Sequence, residues 1–407
     1  MARFAHISDV HLGSWNNHPD LREYPLKAWE KAVDRCIEEA VDFVIIAGDF
    51  FDTSLPSIDV IRKAALELRR LKEAGINVYA IAGSHDFSPT GKSMLNVLED
   101  AGLLANVGKI REAGGKIFLE FTEDRKTGAR LCGVVGRRGA LERSYFENLD
   151  RGIENEKGRK IFVFHSGISE NLPENFGAGI PLSLLPKGFE YYASGHIHAH
   201  SYDEKSRVAF PGPLFPADFH ELERYDSGFY IVDLDTSNTP PGPVSVKRVS
   251  AKLCDVCIIK INADGKMPAE IQKEAEKAVE KENLEGKILL MKIEGTIDGK
   301  TSDINLKPVI AMAAGKGALS VKKNMKITSK ELGEILVKEH VSTEEMEMEI
   351  VSANSEKMKV SWLGRNETEN LITSLMSVLK EEKQEDESSR AYEERIKSAG
   401  RKILGIF

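Results

Sequence analysis

Five short apolar segments in the first half of the chain each lead into residues with carboxylate, hydroxyl or imidazole side chains. Short segments rich in β-branched and aromatic types predict strands buried on both faces. In layered α/β proteins the loops at the carboxyl ends of such strands converge on one crevice, so we expect these polar residues to meet there. The segments, with the residues after them, are 4–8 (Asp9, His11), 43–47 (Asp49), 78–82 (Ser84, His85, Asp86), 161–164 (His165) and 191–194 (His196, His198).

Apolar periodicity predicts helices between these strands. Residues 57–74 are the clearest case, because Ser57 opens the segment, apolar side chains recur three or four residues apart, and Gly75 ends it. Residues 93–104 carry a second amphipathic pattern. Packing against a sheet and exposure at an interface would both explain such helices. The alternation of strands and helices predicts an α/β sandwich as the first domain, at residues 1–250.

The second half of the chain divides into three shorter parts. A strand, a charged helix and another strand within residues 251–330 indicate a small α+β domain with its own short core. A Glu- and Met-rich stretch without a firm period predicts a linker at 331–365. Two amphipathic helices are predicted within 366–407. They either bind a partner or fold back as a cap on the body of the protein.

Composition sets the class of protein. A chain of 407 residues with 41% hydrophobic content is a globular protein of two or three domains. Four cysteines are too few for a disulfide framework, and neither a cleavable leader nor a bilayer-spanning run is recognisable, so a cytoplasmic, membrane-free location is expected. The net charge of −8 argues against coating nucleic acid by charge alone. It does not exclude a DNA enzyme, because metal ions and local basic patches can make the electrostatic potential positive where DNA binds.

The polar residues at the strand ends form a mixed donor set. Asp9 and His11 are two positions apart, as are His196 and His198, and Asp49 follows a glycine that permits a tight turn. Carboxylate and imidazole ligands without thiolate suit manganese, iron, zinc or cobalt rather than calcium or magnesium. Two such ions about 3.5–4 Å apart can activate a water and stabilise an in-line displacement at phosphorus. The set therefore predicts a two-metal phosphoesterase.

The same residues lie in motifs that resemble those of a known family. Asp-Val-His-Leu-Gly at 9–13, Gly-Asp-Phe-Phe-Asp at 48–52, Gly-Ser-His-Asp at 83–86, His165 and Gly-His-Ile-His at 195–198 resemble the ordered motifs of the calcineurin-like metallophosphoesterases. Within that superfamily the chain resembles the nuclease subunit of the DNA double-strand-break repair complexes, called MRN in eukaryotes and SbcCD in bacteria. The resemblance implies an α/β fold: a four-layer β-sandwich flanked by helices, with a small α+β capping domain and a helical C-terminal tail.

The resemblance also implies a role for each residue of the site. His85 would be the general acid or a transition-state donor, oriented by Asp86, because an imidazole can protonate a leaving alkoxide near neutral pH. The residues implied as ligands of two Mn²⁺ ions are Asp9, His11 and His198 for the first, His165 and His196 for the second, and Asp49 as the bridge.

One position departs from the family's pattern. Ser84 stands where the family has an asparagine whose side-chain oxygen binds the second metal. A hydroxyl is a shorter and weaker ligand than an amide oxygen, so the second ion would be held more loosely or through a water. Asp52 is a milder departure, because some relatives carry histidine there, and it could orient a ligand or help to place substrate.

The function implied by the resemblance is a manganese-dependent DNA nuclease, both exonuclease and single-strand endonuclease, that processes double-strand breaks. Its implied partners are DNA, a second copy in a homodimer formed through the helices at 57–74 and 93–104, and a coiled-coil ABC-type ATPase gripped by the C-terminal helices. Two alternatives stay open: a phosphoesterase for small molecules or phosphoproteins, and a DNA-tethering scaffold whose second metal site is weakened at Ser84. The capping domain and the tail favour the nuclease, because a compact small-molecule phosphatase needs neither.

Overall fold

The computed structural model describes residues 2–88, 91–137, 142–171, 179–224, 226–235, 242, 244–329, 365–381 and 389–404. The chain divides into two compact units. The first comprises Met1–Asn262, Ala269–Glu294 and Asn305–Lys326, and the second comprises Ala263–Pro268, Gly295–Ile304 and Ile327–Phe407. The linker predicted at 331–365 lies outside the described residues, except for Arg365. The functional domain boundaries at 250 and 330 stay predictions.

Strands and helices alternate along the first part of the chain, as the sequence pattern predicts. The strands are β1 Ala2–Ile7, β2 Phe43–Ala47, β3 Asn77–Ile81, β4 Ala105–Asn106, β5 Ile110–Ala113, β6 Lys116–Leu119, β7 Thr122–Glu123, β8 Ala129–Val134, β9 Arg159–His165, β10 Tyr191–Gly195, β11 Ser201–Asp203, β12 Val208–Phe210, β13 Gly228–Leu234, β14 Val244–Ser250, β15 Asp255–Asn262, β16 Lys287–Ile297 and β17 Ser320–Ser329. The helices are α1 Tyr24–Glu38, α2 Ile58–Glu73, α3 Met94–Asp100, α4 Arg143–Glu147, α5 Phe219–Arg224, α6 Pro268–Lys281, α7 Lys307–Gly315, α8 Arg365–Leu379 and α9 Ser389–Leu404.

The first sheet has six strands in the order β14-β13-β1-β2-β3-β4. From β1 to β4 each strand runs parallel to its neighbour, whereas β13 is antiparallel to both β1 and β14. All five residues of β2 are buried, as expected for a parallel strand that is covered on both faces. The parallel order brings the carboxyl ends of β1, β2 and β3 to one edge of the sheet.

The second sheet also has six strands, in the order β11-β12-β10-β9-β8-β7. Strands β8, β9 and β10 run parallel to one another. His165, the last residue of β9, pairs in register with Gly195, the last residue of β10. The polar residues that follow these two strands therefore emerge side by side.

The two sheets pack face to face through an aromatic and aliphatic core. The rings of Phe4 and Phe43 are stacked with centroids 4.9 Å apart, and Tyr191 of the other sheet meets Phe4 edge-on at 5.4 Å. Burying one such side chain contributes about 1.5–3 kcal/mol relative to leaving it exposed. This packing holds the strand ends of both sheets in a fixed relation.

Helices cover the outer faces of the sandwich. Trp29 of α1 and Leu68 of α2 belong to the same buried cluster as Ile46 of β2. Ser57 caps α2 by accepting a hydrogen bond from the backbone N–H of Val60, as its position before the helix predicts. Phe146 of α4 packs on the outer side of the second sheet. The predicted α/β class with helix-flanked sheets is thereby confirmed.

The region after β14 contains a smaller three-stranded sheet in the order β15-β16-β17. Ile271, Ala275 and Val279 form the buried stripe of α6. Ile288 and Leu290 of β16 instead join the large cluster that contains α1 and α2. The predicted strands and helix are present, whereas β17 lies in a lysine-rich stretch whose composition indicates no strand.

The two helices predicted at the C-terminal end are present as α8 and α9, and they pack against each other. Tyr392 donates a hydrogen bond to the backbone carbonyl of Glu381 at 2.9 Å, and Arg395 forms an ion pair with the carboxylate of Glu381. Leu379 is 70% exposed at the end of α8. Across the described residues, every helix is too short or too polar to cross a lipid bilayer.

Two glycines allow the strand-end loops to approach closely. A Cβ on Gly83 would lie 2.3 Å from the backbone nitrogen and a carboxylate oxygen of Asp49. A Cβ on Gly48 would lie 2.3 Å from Nδ1 of His165, and Gly48 also has a φ of +87°. The loops after β2 and β3 and the end of β9 therefore meet without room for a methyl group.

We expect Gly83→Ala to lower the free energy of unfolding by about 1–3 kcal/mol, because the added methyl must displace Asp49. Urea denaturation measures this change. The matched control is Gly315→Ala at the end of α7, where a Cβ meets no atom within 4 Å. Equal stability of the two variants would contradict the close packing at Gly83.

Candidate active site

The backbone bends sharply where strands of both sheets end. Asp9, His11 and Asp49 have φ values of 50°, 46° and 49°, and His196 has a φ of 81°. Left-handed backbone is unfavourable for residues other than glycine, and it persists where the surrounding structure enforces it, often at functional sites. Asp9 donates its N–H to the carbonyl of Gly48 at 3.1 Å, and His11 donates to the carbonyl of Asp49 at 3.0 Å. These hydrogen bonds join the loop after β1 to the loop after β2.

Asp9, His11 and His198 form the first group of potential metal ligands. The Nε2 atoms of His11 and His198 lie 3.3 Å apart, and Nε2 of His198 lies 3.6 Å from Oδ1 of Asp9. Asp9 is fully buried and accepts hydrogen bonds from the Ser8 hydroxyl and from the backbone N–H of His196. The structure thus brings together the three residues that the sequence assigns to one ion.

Asp9, Asp49 and His165 form a second group. Nδ1 of His165 donates to the carbonyl of Ala47 at 2.9 Å, and Nε2 donates to Oδ2 of Asp49 at 3.1 Å. The His196 ring lies beside that of His165, with centroids 5.3 Å apart. His165, His196 and Asp49 are therefore neighbours, as the sequence predicts.

The Asp49 carboxylate lies between the two groups. Its Oδ2 is 3.1 Å from Nε2 of His165 and 3.9 Å from Nε2 of His11. Burial alone would raise the pKa of Asp49, but the imidazoles of His165 and His11 and the backbone N–H of His85 hold that pKa well below its usual range. Asp49 is therefore an ionised carboxylate placed to bridge two cations.

The hydrogen bonds of His85 and Asp86 differ from the expected contact between these two residues. Nδ1 of His85 lies 2.7 Å from the backbone carbonyl of Asp52, which accepts its proton and orients the ring. The Asp86 carboxylate accepts instead from the backbone N–H groups of Phe50, Phe51 and Gly83. The expectation that Asp86 orients His85 is wrong, because that carboxylate is directed at the backbone of the two loops.

Asp86 is itself a perturbed group. Burial raises its pKa to about 7, and the nearby charge of Asp49 adds to the rise, while the three backbone hydrogen bonds oppose it. Asp86 joins the loop after β2 to the loop after β3, so it helps to set the distances between the residues of the site.

Ser84 lies at the edge of the second group. Its hydroxyl is 3.4 Å from Oδ2 of Asp49, to which it donates a long hydrogen bond. The serine oxygen is thus adjacent to the carboxylate oxygen that lies between the two groups.

Glu221 is a residue that the sequence gave no reason to select. Nδ1 of His198 donates to Oε1 of Glu221 at 2.5 Å, and the backbone N–H of Ala217 donates to Oε2 at 2.7 Å. Burial lowers the pKa of His198, but the Glu221 hydrogen bond and the charge of Asp9 outweigh it and raise that pKa to about 9. Glu221 lies in a short helix outside any motif, so only its position in space reveals the contact.

Asp52, which the sequence analysis singled out, lies beside the first group. Its Oδ1 lies 3.3 Å from Nδ1 of His11, while its carbonyl holds His85. A carboxylate that accepts a hydrogen bond from the outer nitrogen of a metal-binding histidine orients the ring and raises the basicity of the inner nitrogen. Glu221 makes such a hydrogen bond with His198, whereas Asp52 lies beside Nδ1 of His11 without hydrogen-bond geometry.

The donors fit divalent transition ions. Carboxylate oxygens and imidazole nitrogens converge in both groups, with all the ligand atoms of each group within 4.8 Å of one another. Such donors suit Mn²⁺, Fe²⁺, Zn²⁺ or Co²⁺, and a shared carboxylate is the usual bridge between paired ions. The arrangement can hold two ions and expose them to a phosphate ester.

Removing the Glu221 carboxylate should weaken the binding of Mn²⁺. We expect Glu221→Ala to lower metal affinity about 10–100-fold, the usual cost of losing a carboxylate that supports a ligating histidine. Titration calorimetry with Mn²⁺ measures the affinity. Glu223→Ala is the matched control, because Glu223 lies in the same helix but accepts from Lys292 at 2.8 Å. Equal affinities in the two variants would contradict the role given to Glu221.

Comparison with known proteins agrees with this site. Residues 2–200 match the family model of the calcineurin-like phosphoesterases. The chain is 29% identical over 288 residues to the DNA double-strand break repair protein Mre11 of Saccharolobus solfataricus, an alignment that covers 65% of this chain and 70% of the relative.

Two further archaeal proteins of the same name are similar. Identity is 29% over 303 residues with the protein of Sulfolobus acidocaldarius, covering 72% of this chain and 75% of the relative. It is 32% over 235 residues with the protein of Archaeoglobus fulgidus, covering 55% of this chain and 51% of the relative. The alignments thus span from about half to three quarters of these relatives. Residues 2–200 form a calcineurin-like phosphoesterase domain.

Proposed function

We propose that this protein is a manganese-dependent DNA nuclease, with exonuclease and single-strand endonuclease activity, that processes double-strand breaks. The observation that carries the proposal is the buried Asp49 carboxylate, whose Oδ2 lies within 3.1 Å of His165 and 3.9 Å of His11. A carboxylate in that position can bridge two cations, and paired cations suit hydrolysis of phosphodiesters. The substrate follows from similarity to proteins named for DNA double-strand break repair.

Each residue of the site has a place in this proposal. Two Mn²⁺ ions, when bound, would supply a nucleophilic water and stabilise charge at phosphorus. The ligands would be Asp9, His11 and His198 on one side, His165, His196 and Ser84 on the other, with Asp49 shared.

His85 supplies the proton for the leaving group. Its Nδ1 is engaged with the carbonyl of Asp52 at 2.7 Å, so Nε2 is the nitrogen left to protonate the leaving alkoxide as the P–O bond breaks. The ring lies 5.0 Å from that of His11, centroid to centroid, which places it next to the first group of ligands. Asp86 holds the loops after β2 and β3 together, which keeps His85 in position during proton transfer.

The C-terminal helices are the proposed attachment point for a partner. The α8–α9 pair leaves Leu379 70% and Leu404 48% exposed. Paired amphipathic helices with exposed leucines suit binding to another helical surface. We therefore assign this pair to the coiled coil of an ABC-type ATPase, with residues 366–407 as the binding region and 331–365 as the linker before it.

Exposed apolar side chains on the first domain support a homodimer. Ile58 at the start of α2 is 83% exposed, and Val97 of α3 is 55% exposed. Exposed apolar patches on folded domains commonly mark interfaces. In this proposal residues 1–250 carry catalysis and dimerisation, residues 251–330 help to seat DNA, and the protein works in the cytoplasm, at the nucleoid if the cell is prokaryotic.

Replacing His85 separates catalysis from metal binding. We expect His85→Ala to lower the rate of Mn²⁺-dependent DNA degradation about 10²–10⁴-fold, because the general acid is lost. Mn²⁺ affinity, measured by calorimetry on the same protein, should stay close to that of the wild type. His200→Ala, which removes an exposed imidazole, is the control. Undiminished nuclease activity in His85→Ala would refute the assignment.

Ser84 allows a test of the second metal site. Ser84→Asn restores the longer amide oxygen, so we expect the Mn²⁺ concentration for half-maximal activity to fall on the order of tenfold. Ser84→Ala, which removes the oxygen altogether, should raise that concentration. An identical Mn²⁺ titration for the serine, asparagine and alanine proteins would show that this position does not face the metal.

A further inference from the structure

A cavity of about 770 Å³ opens beside the first group of ligands. It is lined by residues of three segments, the loop after β1, the loop before α2 and the start of α5. Asp52 lies in its wall and also contacts Nδ1 of His11 at 3.3 Å, so the cavity adjoins the first group of ligands. Its volume falls within the range of about 300–1,000 Å³ that is typical of small-ligand sites.

Trp15 forms a half-buried wall of this cavity, and its position is fixed. The indole N–H donates to the carbonyl of Pro216 at 2.7 Å. The residue has a φ of 60°, a left-handed conformation that is uncommon for a bulky side chain. Such backbone persists where the surroundings enforce it, and it often accompanies function. The indole ring of Trp15 therefore has a fixed position beside the first group of ligands.

Contacts behind Trp15 brace the loop that carries it. Lys322 forms an ion pair with Asp20 at 3.0 Å, and Ser320 donates a hydrogen bond to the same carboxylate. Nζ of Lys322 lies 3.1 Å from Nδ1 of His18 and 5.8 Å from the centre of the Trp15 ring. The loop is thus tied to β17, which limits the movement of the indole.

The remaining walls select the kind of group that can enter. Leu55 at the rim is 77% exposed, and Phe219 adds a second aromatic side chain. Asn16 and Asn17 offer amide donors and acceptors. Asp52 and Asp218 carry negative charge, which repels a phosphate but not an uncharged ring. The cavity therefore favours a flat, neutral, hydrogen-bonding group.

We propose that this cavity binds the nucleoside next to the scissile phosphate, with its base stacked on Trp15. The inference rests on the proposed nuclease function and names a part of the substrate that the metal-binding residues do not contact. A phosphodiester bound at the first group of ligands has its adjoining nucleoside within reach of the cavity, because Asp52 lines the cavity and lies 3.3 Å from Nδ1 of His11. Stacking on an aromatic side chain tolerates every base, so the site adds affinity without sequence preference.

The test compares two substrates that have the same leaving group. Thymidine 5′-(p-nitrophenyl phosphate) carries a nucleoside, whereas methyl p-nitrophenyl phosphate carries none, and both release p-nitrophenolate. We expect Trp15→Ala to reduce the ratio of kcat/KM for the first substrate to that for the second about 5- to 100-fold, as loss of one stacked base predicts. Trp15→Phe should give an intermediate ratio. The matched control is Trp29→Phe, because Trp29 is fully buried in the core and should leave the ratio unchanged.

The outcomes separate this inference from the nuclease proposal. DNA degradation by the wild type together with an unaltered ratio in Trp15→Ala would overturn the nucleoside site alone. Hydrolysis of both nitrophenyl esters without any attack on DNA would overturn the nuclease, while a reduced ratio would still support the nucleoside site. An unaltered ratio with a loss of dimer in sedimentation would mean that a second copy of the chain fills the cavity, which also refutes the inference.

A second measurement uses only the wild-type protein, so it does not depend on the folding of a variant. A single-stranded oligonucleotide containing 5-iododeoxyuridine is bound in Ca²⁺ and irradiated, and the cross-linked peptide is identified by mass spectrometry. We expect the cross-link at Trp15. Cross-links confined to peptides outside the cavity walls would refute the site.

Discussion

A charged carboxylate taken out of water must be compensated, and Asp49, which is 2% exposed, receives that compensation from several parts of the chain. His165 approaches one of its oxygens at 3.1 Å and the backbone N–H of His85 donates to the other at 2.8 Å. These contacts come from the end of β9 and the loop after β3, while Asp49 itself follows β2. The site depends on this interaction, because it joins the strand ends of both sheets around one negative charge.

A second buried carboxylate completes the framework. Asp86 accepts hydrogen bonds from the backbone N–H groups of Phe50, Phe51 and Gly83, so it joins the loop after β2 to the loop after β3. Asp52, in the loop so fixed, contacts His11 with its side chain and His85 with its carbonyl. One framework therefore positions a proposed metal ligand and the proposed proton donor together, and it also forms a wall of the cavity beside them.

Much of this could be predicted from the sequence. Apolar runs located all five strands whose ends carry the site, because burial on both faces demands continuous apolar residues. The motifs identified the carboxylates and imidazoles that the structure brings together. The lysine-rich β17 was not recognised, since its alternation of side chains is weak and long lysine stems can cover apolar surface while their charge stays in water. The role of Asp86 was misassigned, because adjacency to His85 in sequence does not fix where a carboxylate points.

The donor types and their position after buried strands could be predicted from the chain alone, because residue chemistry and hydrophobic pattern are local properties. Tertiary packing was needed to establish the contact between His198 and Glu221, the position of Asp49 between His165 and His11, and the cavity walled by Trp15. These features join residues far apart in the chain. They depend on how two sheets and their loops pack, and that packing sets distances and side-chain directions that no local pattern encodes.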